Sequence, residues 1–178
     1  MNCPNCGNTI QGGRGTCPWC GVLISNLEAG VVASPGKRLA GYVLDIVVWA
    51  FIAIIIIFMI AGSVESDSFG TAIFGILLLL AAVVYYFILL SRGQSYGKWI
   101  LGMKAFHISG KPAGFLGMLV RETVGKFVSG LILSLGYLWL LWDPDRQTWH
   151  DKIVSTVIML PGVRAEKKLP ETQNIQNI

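Results

Sequence analysis

The chain has 178 residues, of which 53% are hydrophobic and 13% are charged, whereas soluble domains typically carry about 25% charged residues. This composition argues against an ordinary soluble domain and predicts an integral membrane protein, with room for a small appendage. The formal net charge is +4, but the lysines and arginines fall in segments that flank apolar stretches, so no nucleic-acid partner is predicted.

Four cysteines open the sequence in two similar pairs, CPNCG and CPWCG. The pairs comprise Cys3, Cys6, Cys17 and Cys20. Ten residues separate them, a pattern typical of a four-thiolate tetrahedral metal site. Residues 1–25 contain too few apolar side chains to fold on their own core, so a metal must supply the folding free energy. We predict a structural zinc ribbon here, with rubredoxin-like iron, a redox dithiol or disulfide pairs as alternatives.

Residues 26–33 are predicted to be a linker, and two long apolar helices are predicted after it. Ser34 and Pro35 suit the N-cap and first position of a helix over 34–61. A second helix is predicted over 71–90, and both are long enough to cross a bilayer. Basic residues lie before the first helix and after the second but not between them. We therefore expect a multi-pass protein of the bacterial inner (plasma) membrane with a cytoplasmic N-terminus.

The second half of the chain is less regular. Short strands are predicted around 103–108 and 153–160, and they are expected to pair as a small cytoplasmic sheet. Between them, 115–142 forms either a third span or a short helical hairpin. The hairpin is favoured because it keeps the following basic residues inside the cell. Residues 161–178 are predicted to be a disordered polar tail. The predicted fold class is thus an all-α integral membrane protein with a small N-terminal zinc ribbon.

Several motifs resemble, in order, those of the RDD family of bacterial membrane proteins. Arg38 and Asp45 match the arginine and first aspartate of that family, and GQSYGKWILGMKAF matches its glycine-glutamine-x-x-glycine-lysine segment. RETVGKF places Arg121 at the later arginine, and WDPDRQTWHDKIVSTVIM matches the closing motif, with Asp151 as the second aspartate. The resemblance covers about 34–160. It implies a membrane domain and suggests transport of ions or small ligands, with the ribbon as an addition.

Asp45 is an acid placed within an apolar helix. It lies one to two turns beyond Arg38, about 10 Å deeper at about 1.5 Å per residue. A charge at such depth is costly and is usually paired or functional. We predict an intramembrane charge network of Arg38, Asp45 and Arg121, in which Arg121 neutralises Asp45. Arg38 would reach the lipid headgroups, and Glu122 would pair with Lys126. The alternative is that Asp45 binds an ion or a proton.

The closing motif DPDRQTWHD contains Asp143, Asp145, His150 and Asp151. These residues predict either an oxygen-rich cation site or a solvated turn, of which the turn is favoured.

No nucleophile-elbow, Ser-His-Asp or HExxH pattern occurs, so the protein is predicted not to be an enzyme. Two functions fit the sequence. The first is transport or exchange of ions or small ligands, which would require a homo-oligomer because three or four helices cannot enclose a route. The second is a non-transporting adaptor, anchored in the lipid bilayer, whose ribbon binds a cytoplasmic protein partner.

Overall fold

The structure is a computed structural model that describes residues 1–65, 69–131 and 135–165. Two long helices are the candidate membrane spans: helix α1 is Pro35–Glu65 and helix α2 is Phe69–Ser91. Both are long and apolar enough to cross a bilayer. Their outer side chains are exposed, as Phe58 on α1 shows at 75%, which is the pattern of a lipid-facing surface. The two predicted helices are confirmed, although each extends a few residues into the predicted loop between them.

The third apolar region is a helix with a sharp break. Its elements, in chain order, are α4 (Phe115–Val120), a π-helical segment (Arg121–Gly125), α5 (Lys126–Leu131), α6 (Leu135–Leu138) and a 3-10 turn (Trp139–Leu141). The two halves, Phe115–Leu131 and Leu135–Leu141, meet at 107°; we call them the bent pair. Such an angle fits both a broken span and a re-entrant hairpin. Two short helices flank the pair: α3 (Tyr96–Ile100) and α7 (Trp149–Ile153).

The described residues also form a four-stranded antiparallel sheet with strand order β1-β2-β4-β3. The strands are β1 (Val22–Leu23), β2 (Asn26–Val32), β3 (Lys104–His107) and β4 (Thr156–Leu160). The predicted pairing of the last two strands is confirmed, from Lys104 opposite Met159 to His107 opposite Thr156. The predicted all-α fold class is therefore only partly correct, because the described residues form this sheet as well as the helices.

The prediction that 26–33 is a linker is wrong. Most of this segment is strand β2, in which Val31 pairs with Leu160 and Val32 pairs with Met159. The partner strand lies at the other end of the membrane domain in sequence. A local pattern could not reveal this pairing, because β4 is remote in sequence and the neighbouring partner β1 is only two residues long.

Strand β4 is buried on both faces, which explains the apolar run over 157–160. Ile158 packs in a cluster with Leu90 and Met118 from the helices. Val157 and Met159, on the opposite face, pack in a second cluster of strand residues that includes Leu23. The sheet is thus fastened to the helices through one face.

The predicted tail is only partly described. Residues 161–165 are described, and Ala165 packs against the cysteine cluster of the ribbon. Residues 166–178, where most of the predicted disorder lies, are outside the described residues.

Candidate functional site

The four cysteine sulfurs converge as the sequence predicts. All four Sγ atoms lie within 4.8 Å of one another. The Sγ atoms of Cys3 and Cys20 are 3.7 Å apart, as are those of Cys6 and Cys17. An ion bound at about 2.3 Å from each sulfur in tetrahedral geometry requires sulfurs about 3.8 Å apart. The cysteines, none of which is in a disulfide, therefore have the geometry to hold one metal ion.

The ribbon is fastened to the membrane domain rather than tethered by a free linker. Strand β1 lies in the ribbon, and its partner β2 pairs with β4. In addition, the backbone N–H and the hydroxyl of Thr16 donate to Asp145 Oδ1 at 2.9 and 2.7 Å. Thr16 directly precedes Cys17. The cysteine cluster is thereby positioned against the closing motif.

Asp45 is buried, and its partners differ from the predicted one. Its carboxylate accepts hydrogen bonds from the Ser95 hydroxyl at 2.8 Å and from the Gly97 backbone N–H at 2.7 Å. Both donors lie at the start of α3. The predicted pairing of Asp45 with Arg121 is wrong, because Arg121 is engaged elsewhere. Asp45 is satisfied by two neutral donors and has no direct ion pair with Arg121.

Asp151 is the partner of both arginines. Arg121 donates to Asp151 Oδ1 from Nε at 2.9 Å and from Nη2 at 2.7 Å. Arg38 donates to Asp151 Oδ2 at 3.2 Å, so the expectation that it reaches headgroups is wrong. Burial alone would raise the pKa of Asp151, but the charges of Arg121 and Arg38 hold that pKa below its ordinary value. Asp151 also caps α7 in a reciprocal capping box with Thr148.

Glu122 is the second buried acid, and it gathers three cations. Lys98 Nζ donates to its Oε1 at 2.8 Å and Arg121 Nη1 donates to the same atom at 2.6 Å. Lys126 contacts its Oε2, which confirms the predicted i,i+4 pair. Burial lowers the pKa of Lys98 to about 8, and the Glu122 charge opposes this shift.

These contacts join into one continuous series. Lys98 also donates to Ser95 Oγ at 3.0 Å, which links the Asp45 end to the Glu122 end. We call this series the ionic chain; in order it comprises Asp45, Ser95, Lys98, Glu122, Arg121, Asp151 and Arg38. It connects α1, α3, the π-helical segment and α7. Short π-helical segments within α-helices are frequent at functional sites.

The remaining polar residues of the closing motif do not form a cation site. Asp143 caps a turn by accepting from the backbone N–H of Gln147 at 2.9 Å and also contacts Lys152. His150 is buried against Ser129, with Nδ1 and Oγ 3.0 Å apart. Burial lowers the pKa of His150 to about 3. Among the described residues, the cysteines are the group of histidine, cysteine and acidic side chains placed to hold a metal.

A cavity of about 530 Å³ opens between α1, α3, the bent pair and α7. Its charged border comprises Arg38, Asp45, Lys98, Arg121, Lys126 and Asp151. Its apolar wall includes Leu39, Tyr42, Met103, Leu138, Leu141 and Ile158. A mostly apolar cavity with a few convergent charged groups is the usual form of a small-ligand site.

The fold and the site define a class of protein: a helical membrane domain with a small sheet, in which two arginines bind one buried aspartate beside a π-helical segment. The RDD family profile matches residues 32–155, and the chain belongs to the RDD family.

Three curated relatives from mycobacteria match shorter regions. The proline-rich antigen of Mycobacterium leprae (strain TN) is 41% identical over 68 residues, which is 38% of this chain and 27% of that protein. The proline-rich antigen homologs of Mycobacterium tuberculosis strains CDC 1551 / Oshkosh and ATCC 25618 / H37Rv are each 42% identical over 66 residues, 36% of this chain and 27% of each protein. The chain spans about a quarter of the length of these relatives. No solved structure matches the chain significantly.

Sequence reasoning assigned no role to Ser95 and Lys98, although both lie in the GQSYGK segment that carries the family resemblance. The available signal was that Ser95, Gly97 and Lys98 lie together in one short motif. It indicated a local structure that turns several polar groups toward one partner, but it did not identify Asp45 as that partner.

Proposed function

We propose that this RDD-family protein binds a small ligand or ion in the central cavity and exchanges or transports it across the membrane. The observation that supports the proposal is the cavity itself, which adjoins a candidate span and is bordered by both ends of the ionic chain. Ionisable groups within membrane domains commonly mark ligand or ion pathways. Two long helices and a bent pair do not enclose a complete route, so transport would require a homo-oligomer.

The proposed location is the inner (plasma) membrane, with the N-terminus in the cytoplasm. The sheet supports a topology in which the chain enters and leaves the bent pair on the same side of the membrane. Its strands come from before α1, from between α2 and α4, and from after the bent pair. A sheet joined in this way requires the three segments to share one side of the membrane. The basic residues near these segments favour the cytoplasmic side.

Proton flux through purified protein in liposomes tests the transport proposal. An internal pH dye would report proton movement when a Na⁺ or K⁺ gradient is applied. We expect flux above that of empty liposomes, and we expect Asp45→Asn to reduce it at least about tenfold. Asparagine keeps oxygen and nitrogen atoms to face Ser95 and Gly97 but cannot carry the charge or bind the proton.

The matched control is Glu28→Gln, which removes an exposed acid from strand β2. Flux should be unchanged in this variant. Undiminished flux in folded Asp45→Asn would remove Asp45 from the ion pathway. Absence of flux from the wild-type protein with every cation tested would contradict ion exchange and favour the adaptor function.

We also propose that the ribbon metal is zinc and that its role is structural. Four protein thiolates complete a tetrahedral shell, which leaves no coordination position for a substrate. The cysteines lie in a small cluster with Ile10 and Val22, too small a core to stabilise the ribbon without metal.

Metal analysis of the purified protein should give about one zinc per chain. Cys6→Ser should lose that zinc, because one of four thiolates is removed from a buried site. Gln11→Ala changes an exposed residue between the two cysteine pairs, and this variant should retain the zinc. Stoichiometric iron in the wild-type protein would show that zinc is the wrong metal.

The adaptor function is the second candidate, and a groove beside the ribbon favours it. This groove has a volume of about 350 Å³, and its lining includes Trp19, Arg146 and Arg164. Trp19 is 63% exposed although it lies between two metal-ligand cysteines. An aromatic side chain beside two arginines suits an acidic segment of a cytoplasmic protein.

A further inference from the structure

We propose that the central cavity binds an anionic amphiphile, a molecule with one negatively charged group attached to an aliphatic chain. The charged group lies at Arg38, and the chain lies along the apolar wall. This inference deepens the proposed function by naming the ligand class, and it rests on that function for the use of the same cavity.

The charge balance around the cavity is the first observation. Among the described residues, the ionic chain and Lys126 contribute four cations and three carboxylates. The cations are Arg38, Lys98, Arg121 and Lys126, and the carboxylates are Asp45, Glu122 and Asp151. One positive charge is therefore in excess among these groups, of which Lys126 is the most accessible, with 22% of its side chain exposed. A ligand with a single negative charge would balance this excess.

Arg38 supplies the second observation. Its side chain is only 9% exposed. Its terminal nitrogens donate to the carbonyl of Arg146, to Asp151 and to the carbonyl of Ile158. Its Nε is buried and has no hydrogen-bond partner within the described residues. Because Arg38 borders the cavity while its Nε is buried, a small rotation of the guanidinium on binding would let an anionic oxygen in the cavity become the missing acceptor.

The opening of the cavity is the third observation. Leu39 and Leu141 line it and remain 64% and 59% exposed. Leu39 lies in the candidate span Pro35–Val64, so the cavity opens on the side of the domain that faces the bilayer. A bare inorganic anion would leave the apolar wall unfilled, whereas an aliphatic chain would cover it. The volume of about 530 Å³ lies within the usual range for ligand sites.

Binding can be measured with the full-length protein in phosphatidylcholine nanodiscs, using native mass spectrometry to count bound molecules. The probes are laurate and dodecyl phosphate, with dodecyl maltoside as the uncharged amphiphile and inorganic phosphate as the anion without a chain. A separate arm uses nanodiscs that contain phosphatidylglycerol. We expect one anionic amphiphile per chain and little retention of either control compound. Retention of phosphatidylglycerol alone would identify the ligand as a membrane lipid. Retention of laurate alone would identify it as a free amphiphile.

Two variants separate the contributions of shape and charge. Leu39→Trp narrows the opening without touching the ionic chain, and it should weaken binding at least about tenfold. Ile57→Trp is the matched control, because Ile57 is equally exposed at 64% on the same helix and does not line the cavity. Arg38→Lys keeps the charge but lacks an equivalent of Nε, and it should weaken binding by about tenfold.

Equal retention of dodecyl maltoside would overturn the proposal, because the positive charge would then have no role. Unchanged binding in Leu39→Trp would overturn it as well, since the ligand would lie elsewhere. Binding without any flux in liposomes would support the ligand class and contradict transport. Cation-driven flux without amphiphile binding would contradict the ligand class and leave the transport proposal standing.

Discussion

Asp151→Asn is expected to lower the free energy of unfolding by about 3–5 kcal/mol, the usual cost of removing one partner of a buried ion pair. The Asp151 side chain is 1% exposed and contacts Arg121 at 2.7 Å and Arg38 at 3.2 Å. Asparagine preserves the shape but leaves Arg38 without its counter-charge and leaves Arg121 with Glu122 alone. It also weakens the cap of α7. Reversible unfolding of the purified protein in detergent, followed by circular dichroism, measures the change.

The matched control for this prediction is Lys152→Gln, next to Asp151 in sequence. The Lys152 side chain is 45% exposed and pairs with Asp143. The Lys152 ammonium is partly solvated, and the buried Asp143 keeps its hydrogen bonds from backbone N–H groups, so losing this pair should cost only about 1 kcal/mol. If both variants unfold at the same denaturant concentration, the ionic chain does not hold the domain together.

Gly97→Ala is expected to destabilise the fold by about 3 kcal/mol or more, because it adds an atom where two backbones touch. A Cβ at Gly97 would lie 1.9 Å from the carbonyl oxygen of Gly41 and 3.0 Å from the backbone nitrogen of Asp45. Backbone atoms cannot rotate aside as a flexible side chain can. Helices α1 and α3 would therefore separate, and the hydrogen bond from Gly97 to Asp45 would be lost. The folded fraction eluting from size-exclusion chromatography reports the effect.

Gly117→Ala provides the comparison within another helix. A Cβ at Gly117 has nothing within 4 Å, and alanine favours helix by about 1 kcal/mol over glycine. This variant should match or exceed the wild-type folded yield. Equal yields for both variants would mean that α3 does not pack closely against α1 in the membrane.

The parts of the fold that depend on local pattern could be predicted from the sequence. Helices α1 and α2 follow from long apolar runs, because length and hydropathy alone decide whether a segment can span a bilayer. The cysteine cluster follows from spacing alone. The pairing of β3 with β4 was predictable because both segments were predicted to be short strands on the same side of the membrane. Strand β2 was missed because its partner β4 is remote in sequence and its neighbouring partner β1 is only two residues long, too short to show an alternating pattern.

The charge partners could be predicted only in part. Glu122 and Lys126 share one helical face, so their contact follows from an i,i+4 spacing. Asp45 and Arg121 were matched by eliminating other charges, and this reasoning assumed that a buried carboxylate needs a cation. Ser95 and Gly97 instead satisfy Asp45 through a hydroxyl and a backbone N–H, which no charge count can reveal. The remaining acid, Asp151, then binds both arginines.

The position of β4 between β2 and β3 has a consequence for biosynthesis. Strand β2 leaves the ribosome before either long helix, and its partner β4 leaves after the bent pair. Until then β2 has one edge paired with β1 and one edge open, a feature that invites association with other chains. Bound metal can fix the ribbon early, but only the arrival of β4 closes the open edge. Insertion of the helices and completion of the sheet are therefore consecutive events, and a delay between them exposes nascent chains to aggregation.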